Sequence, residues 1–232
     1  MDKYIGINEF YCDKPIVRVK RLEKTNAVSE LDSCDSLEKL CSLVESFEGC
    51  ELKKSAINTV FAQGNQAADI MFIGEAPGAS EDEQGIPFCG QSGKLLDNII
   101  AAIGLTRDKN AYITNTVFWR PPANRKPTDE EIALCRPFVR KHIALMQPKL
   151  IVMVGSTAVE SLLEMNTPIT KLRGQYFDYT NEYMQDKSVR ATAIFHPSYL
   201  LRQPAHKKTM WFDILKIKHD CMIDEDGKVG VT

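Results

Sequence analysis

Glu75, Asn115 and His196 lie at or near the carboxyl ends of three apolar runs that read as strands: Ile70 to Ile73, Ala111 to Phe118 and Arg190 to Phe195. An amide inside an apolar strand must satisfy both its donor and its acceptor, and either the backbone or a ligand supplies the partners. His196 precedes Pro197, where a histidine is often structural. Glu75 stands within Gly74-Glu-Ala-Pro-Gly78, whose glycines let the backbone turn sharply and approach a ligand that larger side chains would hold off. A second glycine-bracketed turn, Gly85-Ile-Pro-Phe-Cys-Gly-Gln-Ser-Gly93, follows acidic Glu81-Asp82-Glu83 and presents one aromatic ring, Phe88. Two such turns, each offering one chemically distinct side chain, suit a pocket rim better than a connector. Arg120, Arg125 and Lys126 follow the Asn115 strand, while Arg202, Lys207 and Lys208 follow His196. Two basic loops flanking one pocket suit phosphates.

These groups converge only if the runs are strands of one sheet. Ile70 to Ile73 is continuously apolar, as in a parallel strand covered on both faces. Leu37, Leu40, Cys41, Val44 and Phe47 follow Ser36 at helical spacing, predicting a helix that ends near Gly49, and Thr59 to Ala62 reads as a short strand or an extended lead-in. Leu95, Leu96, Ile99, Ile100 and Ile103 predict a helix over 92–103, whose first amides, beside Phe88, could face an anion. Thr128-Asp-Glu-Glu131 fits a capping box opening a helix to about Met146. Leu150 to Gly155 is another strand, Ser156 to Met165 another helix, and 167–188 an irregular section. A last helix with Trp211, Ile214 and Leu215 on one face closes the domain. Strand and helix alternate four times, which predicts an α/β fold: a three-layer αβα sandwich around a mainly parallel four-stranded sheet, with its ligand crevice past the strands' carboxyl ends. Residues 1–35 read as a poorly determined arm, 36–218 as the domain and 219–232 as a frayed tail.

The 232 residues suit one domain with a sizeable core, and one domain with one site is expected to be a monomer. A net charge of -2 excludes a broadly basic nucleic-acid binder, so any such contact is local. No apolar run approaches membrane-span length, and the opening Met-Asp-Lys-Tyr lacks the regions of a signal peptide, so a cytoplasmic location is expected. The seven cysteines (Cys12, Cys34, Cys41, Cys50, Cys89, Cys135 and Cys221) are scattered, contain no Cys-x-x-Cys pair and read as free thiols. A phosphate-loop pattern is missing, which disfavours a nucleotide-binding α/β protein unrelated to DNA.

Gly74-Glu-Ala-Pro-Gly-Ala-Ser-Glu-Asp82, Pro87-Phe-Cys-Gly90, Thr114-Asn-Thr-Val with Arg120-Pro-Pro-Ala-Asn-Arg125, and His196-Pro-Ser-Tyr-Leu-Leu-Arg202 resemble, in order and spacing, the motifs of the family 4 uracil-DNA glycosylases. The resemblance covers residues 36 to 218. It implies a DNA-repair hydrolase that flips a uracil nucleotide out of DNA and hydrolyses its N-glycosidic bond, leaving an abasic site. It implies further that Phe88 stacks on the base, that Asn115 hydrogen-bonds uracil's amide-like edge, and that His196 donates to the oxygen that gains negative charge. Gly74 lines that pocket, and backbone amides at Glu75 and Ala76 help hold the same oxygen. Glu75 would position water or stabilise the positive sugar; related families place an aspartate where this chain has Ala76, which leaves the water-activating group open. Glu81 would help exclude thymine's methyl group. Leu200 would be the wedge that fills the vacated stack, and Arg120, Arg125 and Arg202 would contact phosphates.

Typical members hold an iron–sulfur cluster through a Cys-x-x-Cys pair, a cysteine before Arg-Pro-Pro and one in the following helix. Here Phe47 and Trp119 stand at two of those places, and only Cys50 and Cys135 remain; Cys41 and Cys89 are not at family positions. The expectation is therefore no metal and no cofactor, with Phe47 and Trp119 filling the volume by apolar packing. Loss of these ligands motivates a second reading, a DNA-binding module with reduced catalysis.

Overall fold

The computed structural model describes residues 26–185, 187–224 and 226–230. Among the described residues six strands form one sheet: β1 (Ala62–Gly64), β2 (Ile70–Gly74), β3 (Ala111–Asn115), β4 (Leu150–Val154), β5 (Tyr176–Tyr179) and β6 (Val189–Ile194), in the order β1-β3-β2-β4-β6-β5. The helices are α1 (Asn26–Ser33), α2 (Leu37–Ser46), α3 (Glu51–Ser55), α4 (Ala79–Gln84), α5 (Gln91–Ala101), α6 (Asp129–Met146), α7 (Ser156–Leu163), α8 (Ile169–Leu172), α9 (Pro197–Arg202) and α10 (Lys207–Asp220).

Successive strand residues point to opposite faces. Met71, Ile73, Ile151 and Met153 join a core with α1, α2, α6 and α7, while Ile70, Phe72, Leu150 and Val152 join a second core with α5, α9 and α10. Both faces are covered, which is why these runs are apolar without alternation. The central pairs β3–β2, β2–β4 and β4–β6 are parallel. The chain steps from β2 to β3 on one side and returns across β2 to β4 on the other. This reversal opens a crevice at the strands' carboxyl ends, where Glu75, Asn115, Gly155 and His196 all lie.

The sheet has two strands beyond the four expected, both antiparallel edges: β1 on β3 and β5 on β6. β1 spans three half-buried residues, and β5 lies in the section expected to be irregular, so neither carries a long apolar signal. The buried stripe of α10 is Met210, Ile214 and Ile217, whereas Trp211 and Leu215 are 48% and 37% exposed. Helical spacing from Met210 accounts for this: residues 210, 214 and 217 share a face that 211 and 215 flank. Residues 1–25 of the expected arm lie outside the described residues, but α1 is part of the fold, with Leu31 fully buried against the α2–α6 core. The tail packs as well. Ile223 and Val229 are buried, and the Val229 amide donates to Asp69 Oδ2 at 3.0 Å.

Candidate active site

A cleft of about 720 Å³ opens at the carboxyl ends of β2, β3, β4 and β6, lined by Glu75, Phe88, Asn115, Gly155, His196 and Arg202 among others. Its floor depends on one glycine. A Cβ at Gly74 would come within 2.4 Å of Phe88 Cζ and 2.5 Å of Asn115 Oδ1, so only glycine lets the ring and the amide close over the end of β2.

Asn115 is 1% exposed, and its Oδ1 has no hydrogen-bond partner among the described residues. A buried acceptor left open costs about 1–3 kcal/mol, so a ligand donor here would recover what the fold forgoes. Phe88 holds a left-handed backbone, φ +53°, that a bulky residue seldom adopts. It is clamped from both sides. Arg107 donates to the Pro87 carbonyl at 2.6 Å and to the Phe88 carbonyl, while Glu81 Oε1 accepts from the Cys89 and Gly90 amides at 3.0 and 2.8 Å. Glu81 Oε2 accepts from the Gly78 amide at 3.1 Å, so one carboxylate ties the two glycine-bracketed turns together. The anion expected at the start of α5 is thus the chain's own Glu81, a bracing role that the sequence did not suggest.

His196 caps α9, its Nδ1 accepting from the Ser198 amide at 3.1 Å and lying 2.8 Å from Ser198 Oγ. An Nδ1 that accepts is unprotonated, so the neutral ring carries its proton on Nε2. Burial, reinforced by the positive Arg202, lowers the His196 pKa to about 4, so the ring is neutral at physiological pH. Its centroid lies 5.6 Å from that of Phe88. Glu75 is fixed through its backbone, whose carbonyl accepts from Thr116 Oγ1 at 2.7 Å, and through its carboxylate, which accepts from Thr157 Oγ1 at 2.6 Å.

Leu200, the expected wedge, does not face the cleft. Leu200 is fully buried in the α5–α10 core and cannot reach a base stack from there; Leu201, 41% exposed, lines the cleft. In the six-residue α9 the two leucines point to different sides, and only the first faces the sheet. Of the expected phosphate contacts, Arg125 pairs with both Glu131 oxygens at 2.8 and 2.6 Å, and Arg120 donates to Asn124 Oδ1 at 2.7 Å. Arg202 lines the cleft and is exposed. Thr157, Ser198 and Arg107 escaped the sequence reading because serine and threonine near helix starts ordinarily cap helices, and Arg107 lies in a plain turn.

The profile of the uracil DNA glycosylase superfamily matches residues 61–215, spanning every strand of the parallel sheet and every cleft motif. The chain belongs to that superfamily. Its relatives include the Type-4 uracil-DNA glycosylases of Archaeoglobus fulgidus (35% identical over 81% of this chain and 94% of the relative) and of Sulfurisphaera tokodaii (39%, over 79% and 84%). The Type-4 enzyme of Thermotoga maritima is 37% identical over 78% of this chain and 93% of its own.

The iron–sulfur cluster of typical Type-4 members meets a poor donor set here. Phe47 stacks with Trp119 at 6.3 Å between centroids and meets Phe138 at 5.0 Å. Trp119 is 1% exposed, and its ring N–H donates to Thr59 Oγ1 at 3.0 Å. Cys50 and Cys135 are fully buried; the adjacent Cys50 thiol and burial push Cys135 well above the usual thiol range. Two buried thiols and two packed aromatic rings do not fit a cluster that needs four thiolates. Among the described residues, no helix is long and apolar enough to cross a membrane.

Proposed function

We propose that the chain is a monomeric uracil-DNA glycosylase that flips uracil from DNA and hydrolyses its N-glycosidic bond, leaving an abasic site. The observation that carries this reading is the unpartnered buried Oδ1 of Asn115, set in one cleft with Phe88 and a neutral His196. Uracil stacked on Phe88 would offer its N3–H to Asn115 Oδ1 and its O4 to the amide nitrogen. Cytosine reverses both roles at that edge and leaves the amide mismatched. As the bond to the sugar breaks, its electron pair moves onto the base, and His196 Nε2–H donates to O2, where the charge collects. The amides of Glu75 and Ala76 support the same oxygen. Glu75 faces the positive sugar or the attacking water, Arg202 contacts a phosphate, and Leu201, which lines the cleft, enters the vacated stack in place of the buried Leu200.

We propose too that the iron–sulfur cluster is absent and that Phe47 and Trp119 pack its volume. The test is single-turnover cleavage of an oligonucleotide with one uracil, preceded by the purified protein's absorption spectrum. We expect uracil release without cluster absorbance in the near-visible range, reduced about 100-fold or more in Asn115→Asp and His196→Ala. No release with DNA still bound would favour the binding-module reading, and a brown protein would overturn the cluster-free one.

A further inference from the structure

Glu75 is held through two separate contacts, and they do different things. Its backbone is pinned from the segment just past β3, through Thr116 Oγ1 at 2.7 Å and the Val117 amide at 3.1 Å, both on the Glu75 carbonyl. That fixes where the side chain starts but not where it points. The carboxylate is aimed from a different strand. Thr157, in the first turn of α7 after β4, donates Oγ1–H to Glu75 Oε2 at 2.6 Å across 82 residues of sequence. Thr157 is 1% exposed, and no other hydrogen bond of its hydroxyl occurs among the described residues. Its β-branched side chain has few rotamers in a helix, and the hydrogen bond to Glu75 selects among them.

The turn that delivers Thr157 is specialised. Gly155 adopts φ +99°, and a Cβ there would lie 3.0 Å from His196 Cβ, so the β4–α7 connection passes directly against the imidazole. Thr157 is thereby fixed relative to His196 and Glu75 at once. With Oε2 occupied, Glu75 Oε1 accepts from no described residue, and Glu75 lines the cleft.

We infer that Thr157 is a positioning residue for the glycosylase reaction, holding Oε2 of Glu75 so that Oε1 is presented to the sugar or its attacking water. This rests on the function proposed above. An unaimed glutamate on a loop samples several rotamers, of which few place an oxygen at the reacting carbon; one charge-assisted hydrogen bond selects among them.

The test is a mutant cycle under single turnover on the uracil oligonucleotide, with Thr157→Val and Thr157→Ser each made in the wild-type and Glu75→Gln backgrounds. We expect Thr157→Val to slow uracil release about 10- to 100-fold. Affinity for an undamaged oligonucleotide should stay within about twofold, and Thr157→Ser should recover most of the rate. In the Glu75→Gln background, Thr157→Val should add less than about twofold, because the carboxylate charge that Thr157 presents is already gone. A wild-type rate in Thr157→Val, or a full additional loss in the Glu75→Gln background, overturns the inference. Should Thr157→Val not fold, Thr157→Ala carries the same comparison. Absence of uracil release by the wild-type chain would overturn the functional reading and this inference with it, whereas wild-type release with an unaffected Thr157→Val overturns this inference alone.

Discussion

At the scale of single residues the cleft is governed by what a missing side chain permits. Gly74 admits the Phe88 ring and the Asn115 amide together because a methyl group would overlap both. Gly74→Ala should therefore displace one of them, and the loss should appear in chemistry more than in folding, since Gly74 ends β2 rather than lying within it. We expect uracil release to fall by about 100-fold or more while the urea midpoint shifts modestly; a near-native rate would mean that the ring and amide are not both needed where they stand. The residues whose chemistry is unusual for their setting were legible in the sequence: an amide in an apolar strand, an aromatic in a glycine turn, a carboxylate between glycines. Those that act through them were not. Thr157 and Ser198 look like ordinary helix-start residues, and only the fold brings Thr157 to Glu75. Leu200 and Leu201 are indistinguishable in sequence, and the direction of a short helix decides which one is core.

At the scale of elements, the two glycine-bracketed turns behave as one unit because Glu81 bonds both. Its Oε1 caps the start of α5, where the helix dipole favours negative charge, and its Oε2 holds the Gly78 turn that leads into α4. Glu81→Ala leaves these amides without a partner, and we expect a stability loss of roughly 1–3 kcal/mol by urea unfolding. The rate of uracil release should fall further than that loss implies under conditions where the variant is fully folded, because the left-handed Phe88 loses its brace. If release by the folded variant matched wild type, Glu81 would be a helix cap only. The long helices were legible because local chemistry marks them: Thr128 and Glu131 form the reciprocal capping box, with the Thr128 amide donating to Glu131 at 2.8 Å. Of the edge strands, β5 was not legible and β1 only as the ambiguous run 59–62 that meets it at Ala62, since a three- or four-residue strand gains its pairing from a neighbour rather than from its own pattern.

At the scale of the molecule, two desolvated histidines, one fully and one partly buried, tie stability to pH. His142 is fully buried on α6, shares a 2.9 Å hydrogen bond with the Tyr112 hydroxyl and stacks on Phe61 at 4.4 Å; burial lowers its pKa to about 3. His196 is lowered to about 4 by burial and by Arg202. In the unfolded chain both return to about 6.5. Between about pH 6.5 and these folded values, the unfolded chain binds protons that the folded chain refuses. The stabilisation is complete above pH 6.5 and is lost as pH falls, with a slope of up to about 1.4 kcal/mol per pH unit for each histidine. The urea midpoint should therefore hold near neutrality and decline continuously from pH 6.5 toward pH 4. Replacing the buried pair together, Tyr112→Phe with His142→Phe, removes one proton site without stranding a polar partner and should make that decline shallower. A midpoint that is flat from pH 7 to pH 5 in the wild-type chain, or a decline equally steep in the double variant, would show that His142 is not held neutral by burial, and the acid limit of the fold would then have to be sought among its carboxylates.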